Sequence, residues 1–275
     1  MDRRKSLISQ LTARLRSPEV AELVRRIPKP VGSFGYDPWG YHAENLELAI
    51  SVFKWLYDHY FRVRAVGLEH VPDHGRVLLV ANHSGQLPLD GVLIGIALAT
   101  NPSGPRAPRA MVERFLPTMP WVGNLLNSWG AVLGDPQNCI KMLEREEPVI
   151  VFPEGVRGSG KPFSERYRLK RFGNGFVHMA MKTGAPIVPV GVVGCEETLP
   201  SLGNLKPIAR LFGLPYLPMM VPVPLPARVS LHFGEPLVFA DDARSEADIE
   251  GRVDQVKTAI RDLVDQGLSE RTSVF

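Results

Sequence analysis

The chain has 275 residues, 44% hydrophobic and 22% charged, a balance that excludes intrinsic disorder. Its net charge of +3 is uneven: residues 1–30 hold eight basic side chains against three acids, and the rest of the chain is slightly acidic. Two cysteines, Cys139 and Cys195, exclude a disulfide framework and have no metal-ligand spacing, so they read as core fillers in a reducing compartment.

Within residues 3–16, Leu7, Ile8, Leu11 and Leu15 fall at helical spacing, surrounded by Arg3, Arg4, Lys5, Arg14 and Arg16. This pattern predicts a helix lying on anionic lipid, and without an apolar h-region it is not a signal peptide. The position of the charge thus points to a membrane surface and not to nucleic acid. A Gly/Pro/aromatic linker, VGSFGYDPWGY, leads to a second helical pattern from Glu44 to Arg62. That helix has Leu46, Ala49, Ile50, Phe53, Leu56, Tyr57 and Tyr60 on one face, which either meets a headgroup interface or packs on the domain. Residues 1–62 are accordingly expected to form a membrane-docking segment and linker, and 63–275 the main domain. Two uncharged stretches approach spanning length, Phe115–Gly134 and Leu211–Ala227, but the second has five prolines in 17 residues and the first is broken by Pro117 and Pro120. The expectation is therefore a peripheral protein on the cytoplasmic side of a membrane. LFGLPYLPMMVPVPLP (211–226) is no regular helix and reads as an acyl-channel lining, a bilayer contact or a buried connection.

From residue 76 onward, apolar β-rich runs alternate with helical patterns. The strands are RVLLVA (76–81), RAMVE (109–113), GAVLG (130–134), PVIVF (148–152), IVPVGVVG (187–194) and ARVSLHFG (227–234). The helices are GVLIGIALA (91–99), a short one near Met119–Leu126, Pro136–Arg145, Gly175–Thr183 and the long amphipathic Ser245–Gln266. This alternation predicts a single α/β domain whose central sheet, largely parallel or mixed, is flanked by helices.

In such sheets, ligands bind beyond the C-terminal ends of strands, and two loops stand there. In NHSGQLPLD, after RVLLVA, His83 ends a strand and Asp90 opens a helix, so one loop can pair imidazole with carboxylate. A carboxylate on one ring nitrogen fixes the tautomer and leaves the other to accept a proton from a hydroxyl. The plainer reading makes Asp90 the N-cap of a helix starting at Gly91. Ser84 lacks a nucleophile elbow and reads as a turn residue.

The second loop, PEGVRGSGK after PVIVF, matches a phosphate-binding G-x-x-x-x-G-K from Gly155 to Lys161. Pro162 stands where Ser or Thr would ligate magnesium, and no following strand supplies a Walker-B aspartate. The loop instead offers Glu154 and Arg157, followed by Lys161, Arg166, Arg168, Lys170 and Arg171 against one acid, Glu165. A solvated basic face is the common outcome of such a run, yet its place after the strand suits an anionic ligand.

Taken in order, NHSGQLPLD, WGAVLGDPQN, VFPEGVRGSGK and APIVPVGVVG resemble the four sequence blocks of the glycerolipid acyltransferase family, across roughly residues 63–240. The resemblance implies acyl transfer from acyl-CoA or acyl carrier protein, as co-substrate, to a lipid hydroxyl, with no bound cofactor and no metal. It implies His83 as general base, Asp90 as its orienting partner, and Glu154 and Gly155 as part of the acceptor pocket; the cationic loop itself adds Arg157 and Lys161 as candidate substrate-binding residues. Six residues separate His83 from Asp90 where the family has four, and Pro136 stands where the family has an arginine for acceptor phosphate. Both departures look more like the branch related to monoacylglycerol and diacylglycerol acyltransferases, and the Arg157–Arg171 run is then available for phosphate or for the CoA diphosphate. The readings kept beside this one are a nucleotide-binding enzyme using Gly155–Lys161 and a non-catalytic lipid-binding relative.

Overall fold

The apolar runs become adjacent strands of one sheet. The computed structural model describes residues 17–27, 32, 34–84, 88–113, 122–204, 218–221 and 223–275; the basic helix expected at 3–16 lies outside them. In chain order the elements are α1 (Pro18–Arg26), α2 (Ala43–Trp55, continued by a π-helical turn Leu56–Tyr60), β1 (Arg64–Val66), β2 (Val77–Ala81), α3 (Leu89–Ala99), β3 (Arg109–Val112), α4 (Val122–Ser128), β4 (Ala131–Leu133), α5 (Pro136–Glu144), β5 (Pro148–Val151), α6 (Val156–Ser159), α7 (Gly175–Thr183), β6 (Ile187–Val193), α8 (Cys195–Thr198), β7 (Ser201–Asn204), β8 (Pro218–Met220), β9 (Ser230–Phe233) and α9 (Glu246–Glu270). Seven strands stand in the order β1-β9-β6-β2-β5-β3-β4, and β7 and β8 form a separate two-stranded sheet. Neighbours in the large sheet are parallel except β6 and β9, which are antiparallel, so the sheet is mixed.

Strands β2, β5 and β6 occupy the centre and are buried along their whole length, which is why they read as unbroken apolar runs and not as alternating ones. Side-chain alternation divides the core in two. Val77, Leu79 and Ala81 of β2 face α2 and α3, together with Ile150, Val188, Val190 and Val192. Leu78 and Val80 face α5, α7 and α9, together with Val149, Val151, Ile187 and Val193. On α9, Ile249, Val253, Val256, Ile260 and Val264 make the inward stripe, and a reciprocal capping box of Ser245 and Asp248 begins the helix. It runs four residues beyond the end expected at Gln266.

Helix α2 sends Leu46, Ala49, Ile50 and Tyr57 into the core and leaves Val52 and Trp55 outside, 41% and 58% exposed. The linker before it is docked: Asp37 accepts the N–H groups of Trp39 (2.9 Å) and Tyr41 (2.8 Å), and its other oxygen pairs with Arg109 at 2.5 Å. Helix α1, capped by Ser17, buries Val20 and Val24 in the same core. The described residues between 17 and 61 are therefore built onto the sheet. Among the described residues, no helix is long and apolar enough to cross a membrane.

Candidate active site

The C-terminal ends of the parallel strands β2, β5 and β6 lie side by side, and the loops leaving them meet. Asn82, the first residue beyond β2, is buried and imitates a further strand residue. Its Nδ2 donates to Val192 O (3.0 Å) and its Oδ1 accepts from Val192 N (2.7 Å), fixing where His83 departs from the sheet.

His83 and Asp90 meet despite their longer spacing. His83 Nδ1 lies 2.7 Å from Asp90 Oδ2, and Asp90 is wholly buried. The same oxygen accepts from Ser84 N (2.8 Å), while Oδ1 accepts from Gly91 N (2.8 Å). Helix α3 begins at Leu89, with Pro88 in the capping position, so Asp90 belongs to the first turn and is not the cap. A carboxylate at Nδ1 dictates that this nitrogen carries the proton, and Nε2 makes no hydrogen bond among the described residues. The imidazole lies on Phe152, with centroids 4.5 Å apart and planes at 26°, and its side chain keeps 12% exposure. Burial pulls the His83 pKa down; the charge and hydrogen bond of Asp90, with Glu154 beyond, outweigh burial and hold it above the ordinary 6.5, against a smaller opposing effect of Lys161.

The second loop is closed against the first. Glu154, 1% exposed, accepts His83 N–H at Oε1 (2.9 Å) and Lys170 N–H at Oε2 (2.7 Å), so both carboxylate oxygens are engaged with backbone. Gly155 follows at φ 54° and ψ −144°, a backbone region essentially reserved for glycine. Gly158 permits the loops to touch: a Cβ there would stand 2.8 Å from the Cβ atoms of both Glu154 and His83. Arg157 is exposed on α6.

Lys161 is elsewhere than its motif suggests. It is 5% exposed and pairs at 2.6 Å with Glu196 of α8. The N–H groups of Arg157, Gly158, Ser159, Gly160 and Lys161 all bond carbonyls within the loop, leaving no cradle of free donors for a nucleotide triphosphate. Gly155 N–H likewise bonds Phe152 O at 3.0 Å.

Asn82, Phe152, Gly158 and Glu196 also shape this site, and sequence reasoning missed their roles. Only Gly158 carried a local signal, as one glycine in a glycine-rich loop, and that signal pointed to phosphate binding. Pro136, where the family resemblance expects an arginine, is the first residue of α5, next to the Asp135 cap that accepts Gln137 N–H at 2.9 Å.

Comparison with known proteins agrees with the blocks read from the sequence. The family described as Acyltransferase matches residues 62–193. An uncharacterised protein of Mycobacterium tuberculosis is 36% identical over 259 residues, covering 89% of this chain and 71% of its own. The chain belongs to the acyltransferase family. This acyltransferase is also similar to the Bos taurus protein called DGAT1/2-independent enzyme synthesizing storage lipids, 26% identical over 205 residues, covering 73% of this chain and 58% of that one. Its fold is that of the 1-acyl-sn-glycerophosphate acyltransferase PlsC of Thermotoga maritima, with a TM-score of 0.56, 21% identity and coverage of 84% and 80% of the two chains. The acyltransferase resemblance drawn from the four blocks therefore holds, and the fold agrees with it.

Proposed function

We propose that this acyltransferase moves a fatty acyl group from a thioester, acyl-CoA or acyl carrier protein, to a hydroxyl of a neutral glycerolipid, with His83 as general base and Asp90 as its partner. The observation that carries the reading is the 2.7 Å contact between His83 Nδ1 and a fully buried Asp90, at the ends of the central strands. As the acceptor oxygen attacks the thioester carbonyl, its proton passes to His83 Nε2. The C–S bond then breaks, and the departing thiolate takes that proton from the imidazolium and leaves as the thiol. Asp90 stabilises the transient positive ring, and no acyl-enzyme is required.

A neutral acceptor, monoacylglycerol or diacylglycerol, is favoured by Pro136 in place of an arginine and by the similarity to an enzyme named for storage-lipid synthesis. The exposed Val52 and Trp55 of α2, with the basic residues 3–29, would bring the site to a lipid surface carrying that acceptor.

The test is release of free thiol by the purified protein with an acyl thioester and a panel of monoacylglycerol, diacylglycerol, lysophosphatidate and other lysophospholipids. Acylation of the neutral lipids is expected, and His83→Ala should reduce it by about 10²–10⁴-fold, the usual contribution of a general base. Full activity in His83→Ala would refute the base, and sole use of lysophosphatidate would refute the acceptor.

A further inference from the structure

The basic segment beyond α6 is built, not loose. Lys161 Nζ donates to Arg168 O (3.4 Å), Lys170 N–H to Glu154 (2.7 Å), and Gly173 N–H to Pro153 O (2.9 Å), so it runs along the loop that holds His83. At its centre Tyr167 adopts φ 62°, a left-handed conformation that costs a bulky residue energy and persists only where the surroundings impose it. They do. Its hydroxyl donates to Glu197 (2.5 Å) and accepts from Gly194 N–H (3.0 Å) and Arg271 (3.1 Å), and its own N–H donates to Glu196 (2.6 Å). With Tyr167 drawn inward, Arg166 and Arg168 on either side face solvent, as does Arg171.

The structure also sorts the cations of this run. Lys161 is buried against Glu196, and Lys170 is paired with Glu165. Arg166, Arg168 and Arg171 make no ion pair among the described residues. The Arg166 guanidinium lies 4.6 Å over the ring of Phe163, a flat cation already stacked on one face.

We propose that this arginine segment is the nucleotide subsite of the acyl donor, taking the 3′-phosphate and diphosphate of coenzyme A with Arg168 and Arg171 and its adenine on the Arg166 and Phe163 stack. The proposal rests on the reading of the donor as a thioester. Three exposed guanidinium groups on one segment, separated by the inward turn at Tyr167, suit a ligand with phosphates in two places and a planar base. A lysophosphatidate offers one phosphate and no base, and an acidic carrier protein offers charge without the 3′-phosphate.

The experiment is equilibrium binding by calorimetry of CoA, 3′-dephospho-CoA and pantetheine to the full chain and to its Arg168→Ala/Arg171→Ala and Arg166→Ala variants. The wild type should bind CoA on the order of 10-fold more tightly than 3′-dephospho-CoA, the worth of one well-made charge-assisted contact. In the double variant that discrimination should vanish, and Arg166→Ala should weaken both nucleotides alike. Equal binding of CoA and 3′-dephospho-CoA by the wild type, or discrimination that survives in the double variant, would overturn the proposal. The comparison of the two nucleotides on the wild type tests the subsite even if a variant fails to fold. Binding needs no turnover, so arginine-dependent CoA binding without acyl transfer would uphold the subsite and reject the transfer reading, whereas transfer without CoA binding would do the reverse.

Discussion

Replacing Asp90 by Asn keeps the shape of the side chain and removes its charge, which makes it the sharpest probe of the His83 pair. The carboxylate accepts three N–H groups, from His83 and Ser84 on Oδ2 and from Gly91 on Oδ1. An amide has one accepting oxygen. If that oxygen faces His83, the NH2 group confronts Gly91 N–H; if it is flipped, both His83 and Ser84 lose their acceptor, and the imidazole is driven to the tautomer whose Nε2 cannot accept a proton. Loss of the charge-assisted bond costs about 1.5–3 kcal/mol. At about 1.4 kcal/mol per tenfold, that is roughly 10–10²-fold in rate, and the tautomer error extends the loss toward 10⁴-fold. The pH profile carries a second signature. With His83 as the proposed base the neutral imidazole would be the active form, so kcat/KM should rise with pH through the His83 pKa, which Asp90 holds above 6.5 against burial. In Asp90→Asn burial and Lys161 prevail, and the acid limb should move to lower pH while the plateau falls. Initial rates with an acyl thioester, measured from acid to mildly alkaline pH, test both features. An acid limb that stays in place or moves upward would refute the coupling of Asp90 to the base.

Two further substitutions probe how the loops are held. Gly158→Ala places a methyl 2.8 Å from the Cβ atoms of Glu154 and His83, so overpacking of about 1–3 kcal/mol is expected, seen as a lowered Tm with reduced kcat; wild-type values for both would show that the loops do not touch there. Lys161→Met leaves Glu196 without its cation at a site where the side chains of Lys161 and Glu196 are 2% and 5% exposed, so urea denaturation should show a loss of about 3–5 kcal/mol, and Lys161→Met/Glu196→Met should recover most of it. Because Lys161 lowers the His83 pKa, the single variant should also move the acid limb upward, opposite in sign to Asp90→Asn.

What could be read from the sequence follows from which forces are local. Strands β2, β5 and β6 are apolar throughout because helices cover both their faces, and α5, α7 and α9 carry their own stop and start signals in Asp135 with Pro136, in Gly184 at φ 64°, and in Ser245 with Asp248. Strand β1 has no comparable signature: three residues, none fully buried, are strand only because β9 pairs with them. The reversal of β9 relative to β6 is equally silent, since an apolar run reads the same in either direction. At the site, residue type and position singled out His83 and Asp90 as a pair, but the spacing could not show that six intervening residues still close the contact. Lys161 illustrates the opposite failure. Its motif is local and its partner Glu196 is distant, so the string Gly155–Lys161 could not show that its N–H groups are consumed within the loop or that its lysine is buried.

Glu154 shows how two of the four blocks are joined physically. The family resemblance implies a place for it in an acceptor pocket; in the structure both its oxygens are taken by backbone N–H groups, one from His83 and one from Lys170. A buried carboxylate so engaged contributes through position. It ties the strand end that presents His83 to the segment that presents the arginines, across residues far apart in sequence. Gly155 and Gly158 serve the same junction, one by adopting a backbone closed to other residues and one by leaving room for Glu154 and His83 to approach. The phrase FPEG thus encodes a joint between two loops, and the chemistry assigned to each loop depends on that joint holding both in one geometry.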